Sequence, residues 1–112
     1  MPLTIDYVEF ASPDLEGTQR FFAEALGWSF TDYGPDYRDI QNAGTGAGVE
    51  RGGLRPPLIV LKSDDLVRDR AKLLEAGAEL VRDIFEFPGG RRFEFREPGG
   101  TLMAAWTQSA AP

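Results

Sequence analysis

Alternation of apolar and polar residues from Ile5 through Phe10 has a period of two and predicts a strand, with Val8 and Phe10 on one face and Tyr7 and Glu9 on the other. Ser12-Pro13-Asp14-Leu15 follows. Ser12 suits an N-cap, Pro13 the first helical position and Asp14 the positive end of the helix dipole, so a helix is expected to begin there. Leu15, Phe22, Ala25 and Leu26 recur at helical spacing, and Gly27 is placed to end the helix. The stretch from Trp28 to Asn42, interrupted by the turn signal Tyr33-Gly34-Pro35-Asp36, reads as a two-stranded hairpin. A weaker third strand is expected near Val49 to Arg51. The preceding Gly44-Thr45-Gly46-Ala47-Gly48 reads as a mobile loop or linker, because no helix follows it as a phosphate-cradling turn would require.

The second half repeats this plan at a shift of 51 positions. Leu58 to Leu61 align with Tyr7 to Phe10, and Ser63-Asp64-Asp65-Leu66 align with Ser12 to Leu15. Leu66, Val67, Ala71, Leu73 and Leu74 form a second helical stripe closed by Gly77, and strands are expected over Leu80 to Phe87, Arg92 to Arg96 and Leu102 to Trp106. The implied fold class is α+β, with two tandem βαβββ modules (about 1–52 and 53–112) in a single domain. Pairing the modules would form a curved mixed sheet around a cup, with both helices outside. Val8, Phe10, Ile59 and Leu61 would then pack under the helices, leaving Tyr7, Glu9, Leu58 and Val60 to face the hollow.

Composition narrows the chemistry. The 112 residues are 42% apolar and 27% charged, which is ordinary for a chain that folds by itself. With no cysteine and no histidine, disulfides, thiolate sites, a cysteine nucleophile and any Ser-His-Asp relay are excluded. A net charge of −6 disfavours nucleic acid and favours neutral or cationic small ligands. No apolar run approaches the roughly 20 residues that span a bilayer. No membrane association is expected, and the N-terminus lacks a signal-peptide pattern, so a cytoplasmic location is expected.

Ser12-Pro13-Asp14-Leu15, Ala25-Leu26-Gly27-Trp28, Ser63-Asp64-Asp65-Leu66 and Glu97-Pro98-Gly99-Gly100, in this order and spacing, resemble the vicinal oxygen chelate superfamily of glyoxalases, bleomycin-resistance proteins and ring-cleaving dioxygenases. The resemblance covers nearly the whole chain. In metal-using members, it implies histidine on the first strand of each module and glutamate on the last. Tyr7, Leu58 and Ala104 stand at those positions here. The expectation is therefore no metal and no cofactor, and a metal-independent binding protein that sequesters a cationic or aromatic ligand as a homodimer, in the manner of the bleomycin-resistance group. The alternative is a lyase, isomerase or dioxygenase of the same superfamily that uses a divalent cation on Glu9, Glu50 and Glu94, or metal-free acid–base chemistry; whether the chain is an enzyme stays open.

The candidate ligand-binding residues are Tyr7, Glu9, Tyr37, Leu58, Arg92, Glu94, Ala104 and Trp106, with Glu9 and Glu94 the candidate catalytic carboxylates. Tyr7, Tyr37 and Trp106 could stack on a planar ligand, whereas Trp28 is assigned to the core. Glu9 on an inward face must either act or be paired, and Arg92 or Arg96 is the expected basic partner.

Overall fold

A computed structural model describes residues 2–109. The first module comprises β1 (Thr4–Ser12), α1 (Leu15–Leu26), β2 (Phe30–Asp32), β3 (Tyr37–Ile40) and β4 (Gly46–Arg51). The second comprises β5 (Leu58–Lys62), α2 (Leu66–Glu75), β6 (Glu79–Phe87), β7 (Gly90–Arg96) and β8 (Leu102–Gln108). The α+β class and the two βαβββ modules are therefore present. Contacts divide the chain into two compact units, Asp6–Leu58 and the residues from Ile59 onward together with those up to Ile5. Among the described residues no helix is long and apolar enough to cross a membrane.

Within the first module the strands lie in the order β2-β3-β4-β1, antiparallel except for the parallel pair of β1 with β4. The second repeats this as β6-β7-β8-β5, with β5 and β8 parallel. Each helix covers one face of its own sheet. In the first module Leu15, Ile40, Ala47 and Val49 form the buried cluster, with Phe10, Phe22, Trp28 and Phe30 packed around it. In the second, Leu66, Phe93, Phe95 and Ala105 do so, flanked by Leu61, Leu73, Leu80, Ile84 and Met103. Trp28 meets Phe22 edge-on at 5.0 Å, which places it in the core as expected.

In α1 the cap lies two residues later than the Ser12 expected, and in α2 the cap follows Ser63 by the same two residues. The cap is Asp14, which accepts a hydrogen bond from the Gly17 N–H at 3.1 Å, and its counterpart Asp65 accepts from the Arg68 N–H at 3.1 Å. Ser12 instead ends β1, paired with Arg51, and its Oγ accepts from the Asp14 N–H and from the Thr18 hydroxyl. Gly27 closes α1 with φ 75°, a conformation costly for any residue with a Cβ. The apolar stripes are narrower than expected, for Leu26, Val67 and Leu74 are exposed while Leu15 and Leu66 carry the burial.

In the second module Ser63 donates to Asp69 at 2.6 Å, where the first module has the Thr18-to-Ser12 bond. Burial of Asp69 opposes its charge. The Ser63 hydroxyl and the Arg68 guanidinium outweigh that burial and hold its carboxyl below the usual range. A depressed folded pKa contributes stability above the unfolded value of about 3.9, and the contribution is lost as pH falls below it. Asp69→Asn is therefore expected to flatten the fall in Tm between pH 5 and pH 3, measured by thermal unfolding against wild type.

Candidate ligand-binding site

Strand register in the first module fixes which side chains point away from α1. Tyr7 is level with Gly46, Glu9 with Gly48, Gly48 with Asp39, and Glu50 with Tyr37. Because these positions alternate with the core residues Ala47, Val49 and Ile40, the face opposite the helix carries Tyr7, Glu9, Tyr37, Asp39 and Glu50. Its glycines are structural. A Cβ on Gly48 would stand 2.1 Å from the Tyr7 hydroxyl and 2.2 Å from that of Tyr37, and one on Gly46 would stand 2.7 Å from the Asp6 carbonyl oxygen.

That requirement corrects the reading of the 44–48 segment as a mobile loop or linker. Gly46, Ala47 and Gly48 belong to β4, and Ala47 and Gly48 are buried. Glycine here marks close approach within a strand, where two aromatic side chains cross the backbone. Gly48→Ala is expected to part the two hydroxyls and cost about 1–3 kcal/mol. Urea unfolding, with the Tyr7 and Tyr37 ring resonances as local probes, checks this.

The tyrosines form an ordered relay. The Tyr7 hydroxyl donates to Asp39 Oδ1 at 2.9 Å and lies 2.5 Å from the Tyr37 hydroxyl. With the proton of Tyr7 committed to Asp39, Tyr37 is the donor between the two phenols. Gln41 Nε2 donates to the other Asp39 oxygen at 2.8 Å. Burial first, then the bonds to Tyr37 and Asp39, push the Tyr7 phenol far above its ordinary pKa. Both effects favour the neutral phenol over the phenolate.

Beside the relay lies an ion cluster. Glu9 is 6% exposed. Arg55 Nη2 donates to Glu9 Oε1 at 3.1 Å and to Glu50 Oε1 at 3.0 Å, while Nη1 reaches the Glu9 carbonyl oxygen at 3.2 Å. Pro56 and Pro57 restrict the backbone immediately after Arg55, in the segment leaving β4. Three carboxylates, Glu9, Asp39 and Glu50, thus share a face with one guanidinium, and the face is acidic.

In the second module the face away from α2 is of another kind. Ala104 is buried, level with Val60 on one side and Glu94 on the other. Arg92 Nη2 donates to Glu94 Oε2 at 2.7 Å, and Lys62 Nζ lies 4.0 Å from the centre of the Trp106 ring. Of the sequence candidates, Tyr7, Glu9 and Tyr37 are gathered in the first module, and Arg92, Glu94, Ala104 and Trp106 in the second. Leu58 begins β5, buried.

Sequence reading missed Asp39 and Arg55. Asp39 was accessible by alternation from Tyr37; Arg55 lies among glycines and prolines with no periodicity to orient it.

A divalent metal, which the superfamily resemblance raises, does not fit the residues present. At the three expected ligand positions stand a phenol held protonated by its neighbours, an aliphatic chain and a methyl group. Among the described residues no three histidine, cysteine or carboxylate side chains are placed to hold an ion. Glu9 and Glu50 converge on Arg55, and Glu94 is bonded to Arg92.

A family profile described as Glyoxalase/Bleomycin resistance protein/Dioxygenase superfamily matches residues 4–104. No curated protein matches in sequence. Among solved structures, the chain is similar to a methylmalonyl-CoA epimerase at 18% identity and TM-score 0.76, covering 98% of this chain and 99% of that one. It is also similar to methylmalonyl-CoA epimerase from Mycobacterium tuberculosis, at 17% identity, TM-score 0.72, and 95% and 88% coverage. The Mn(II)-bound glyoxalase from Novosphingobium aromaticivorans matches at 20% identity and TM-score 0.70, over 96% of this chain and 40% of that one. At these identities the likeness is one of fold.

Proposed function

Since the chain belongs to the glyoxalase, bleomycin resistance protein and dioxygenase superfamily, we propose that it is a metal-independent member that binds, and so sequesters, a small aromatic cation on the acidic face of its first module. The observation that carries this reading is the guanidinium of Arg55 between Glu9 and Glu50. A planar cation of the chain itself, Arg55, already sits at these carboxylates, which supports the reading. Glu50 is the more open of the two, so a ligand's cationic group would compete with Arg55 there while its ring lies against Tyr7 and Tyr37.

Thermal unfolding in the presence of benzamidine and of acridine-type cations tests the reading. Saturable stabilisation in chelator is expected, weakened about tenfold in affinity by Glu50→Gln. Stabilisation by Mn²⁺ together with indifference to benzamidine and to the acridine-type cations would overturn it.

The second reading is metal-free acid–base catalysis by Glu9 or Glu94, favoured by the burial of Glu9. It predicts proton exchange from a bound carbon acid that Glu9→Gln or Glu94→Gln abolishes. Homodimerisation and a cytoplasmic location complete the proposal, the former tested by sedimentation equilibrium.

A further inference from the structure

On the face of the second module away from α2, cations and rings alternate across all four strands. Lys62 of β5 is level with Trp106 of β8, Trp106 with Arg92 of β7, and Arg92 with Phe85 of β6. The side chains follow that order. Lys62 Nζ is 4.0 Å from the centre of the Trp106 ring, and the guanidinium carbons of Arg82 and Arg92 lie 3.5 Å and 5.5 Å from that of Phe85. Glu94, level with Arg82, accepts from Arg92.

The arrangement depends on an irregularity in β6. Arg82 and Phe85 are three residues apart, so simple alternation would send them to opposite faces. Register shifts between them: Arg82 is level with Glu94 and Phe85 with Arg92, three steps on one strand against two on the other. Asp83 fixes the extra residue, since its Oδ1 accepts from the Ile84 N–H at 2.7 Å and from Arg70 of α2 at 2.5 Å. Ile84 then enters the helix-side core while Arg82 and Phe85 share the other face. Bulges of this kind re-aim side chains and recur beside functional sites.

Lys62, Arg82 and Arg92 therefore bring three cations to this face, where Glu94 accepts from Arg92, in a chain of net charge −6. Among the described residues, Lys62 and Arg82 have ring faces rather than carboxylates as partners. A guanidinium stacked flat on a ring keeps its N–H edge directed outward, which suits it to accept a second, anionic partner.

We propose that this face recognises a small organic anion through Lys62, Arg82 and Arg92, the shared chemistry being a carboxylate or phosphate group. The inference goes beyond the cation site of the first module and stands on different residues.

Titration with benzoate and with inorganic phosphate, followed by the Trp106 indole N–H resonance, is the test. A saturable shift is expected. Lys62→Gln and Arg82→Gln should each weaken binding about fivefold or more, and Lys62→Arg should retain it. Saturation by benzoate alone assigns the site to carboxylates, by phosphate alone to phosphates, and by both to the charge they share. No saturable shift with either anion, or undiminished binding in both glutamine variants, overturns the proposal. Loss of benzamidine binding with anion binding intact would sink the first-module reading and leave this one standing.

Discussion

Arg55→Ala is expected to lower the unfolding free energy by about 2–4 kcal/mol, the largest effect of any polar substitution in the first module. The Glu9 side chain is 7% exposed and that of Arg55 25%. Truncating the arginine removes the guanidinium from a desolvated carboxylate and from the Glu9 carbonyl at once. By contrast, Glu50→Gln deletes a charge that is 42% exposed, where water replaces the partner and the cost falls below about 1 kcal/mol. The double variant Arg55→Ala with Glu9→Gln should recover part of the loss, since the buried side chain then carries no charge. Urea unfolding of the four proteins checks the order.

Leu15→Ala and Leu66→Ala should each cost about 2–5 kcal/mol. The two residues occupy the same place in their modules, the first helical position after an aspartate cap, and are 0% and 2% exposed. Each leaves a cavity between a helix and the sheet it covers. Leu26→Ala, at a half-exposed position on α1, should change stability by less than about 1 kcal/mol. Chemical denaturation distinguishes these outcomes, and equal losses at Leu15 and Leu66 would reflect the equivalence of the modules.

That equivalence was legible in the chain. The presence of the two helices, the glycine closing α1 and the apolar strand starts are local signals, and local physics decides them, although Asp14 rather than the expected Ser12 caps α1. The hairpin of β2 and β3 was legible for the same reason, through its turn residues.

Less of the site could be read, because its parts are specified by contacts that sequence spacing does not encode. The first half of β4, Gly46 to Gly48, reads as a loop since glycine has poor strand propensity; the Asp6 carbonyl and the Tyr7 ring explain Gly46, and the crossing of Tyr7 and Tyr37 explains Gly48. Alternation placed Tyr7 and Glu9 on one face, yet the proton relay to Asp39 needed the register of three strands. Arg55 has no pattern at all. In the second module, alternation separates Arg82 from Phe85, and only the bulge at Asp83 brings them together.

The most direct test of the central claim is an NMR measurement of contacts between protein and benzamidine in chelator-treated samples. Intermolecular contacts from the benzamidine ring to the Tyr7 and Tyr37 rings, lost in Glu50→Gln, are the predicted result. A complex that forms only when a divalent metal is supplied, or one whose contacts avoid both tyrosines, would contradict the account.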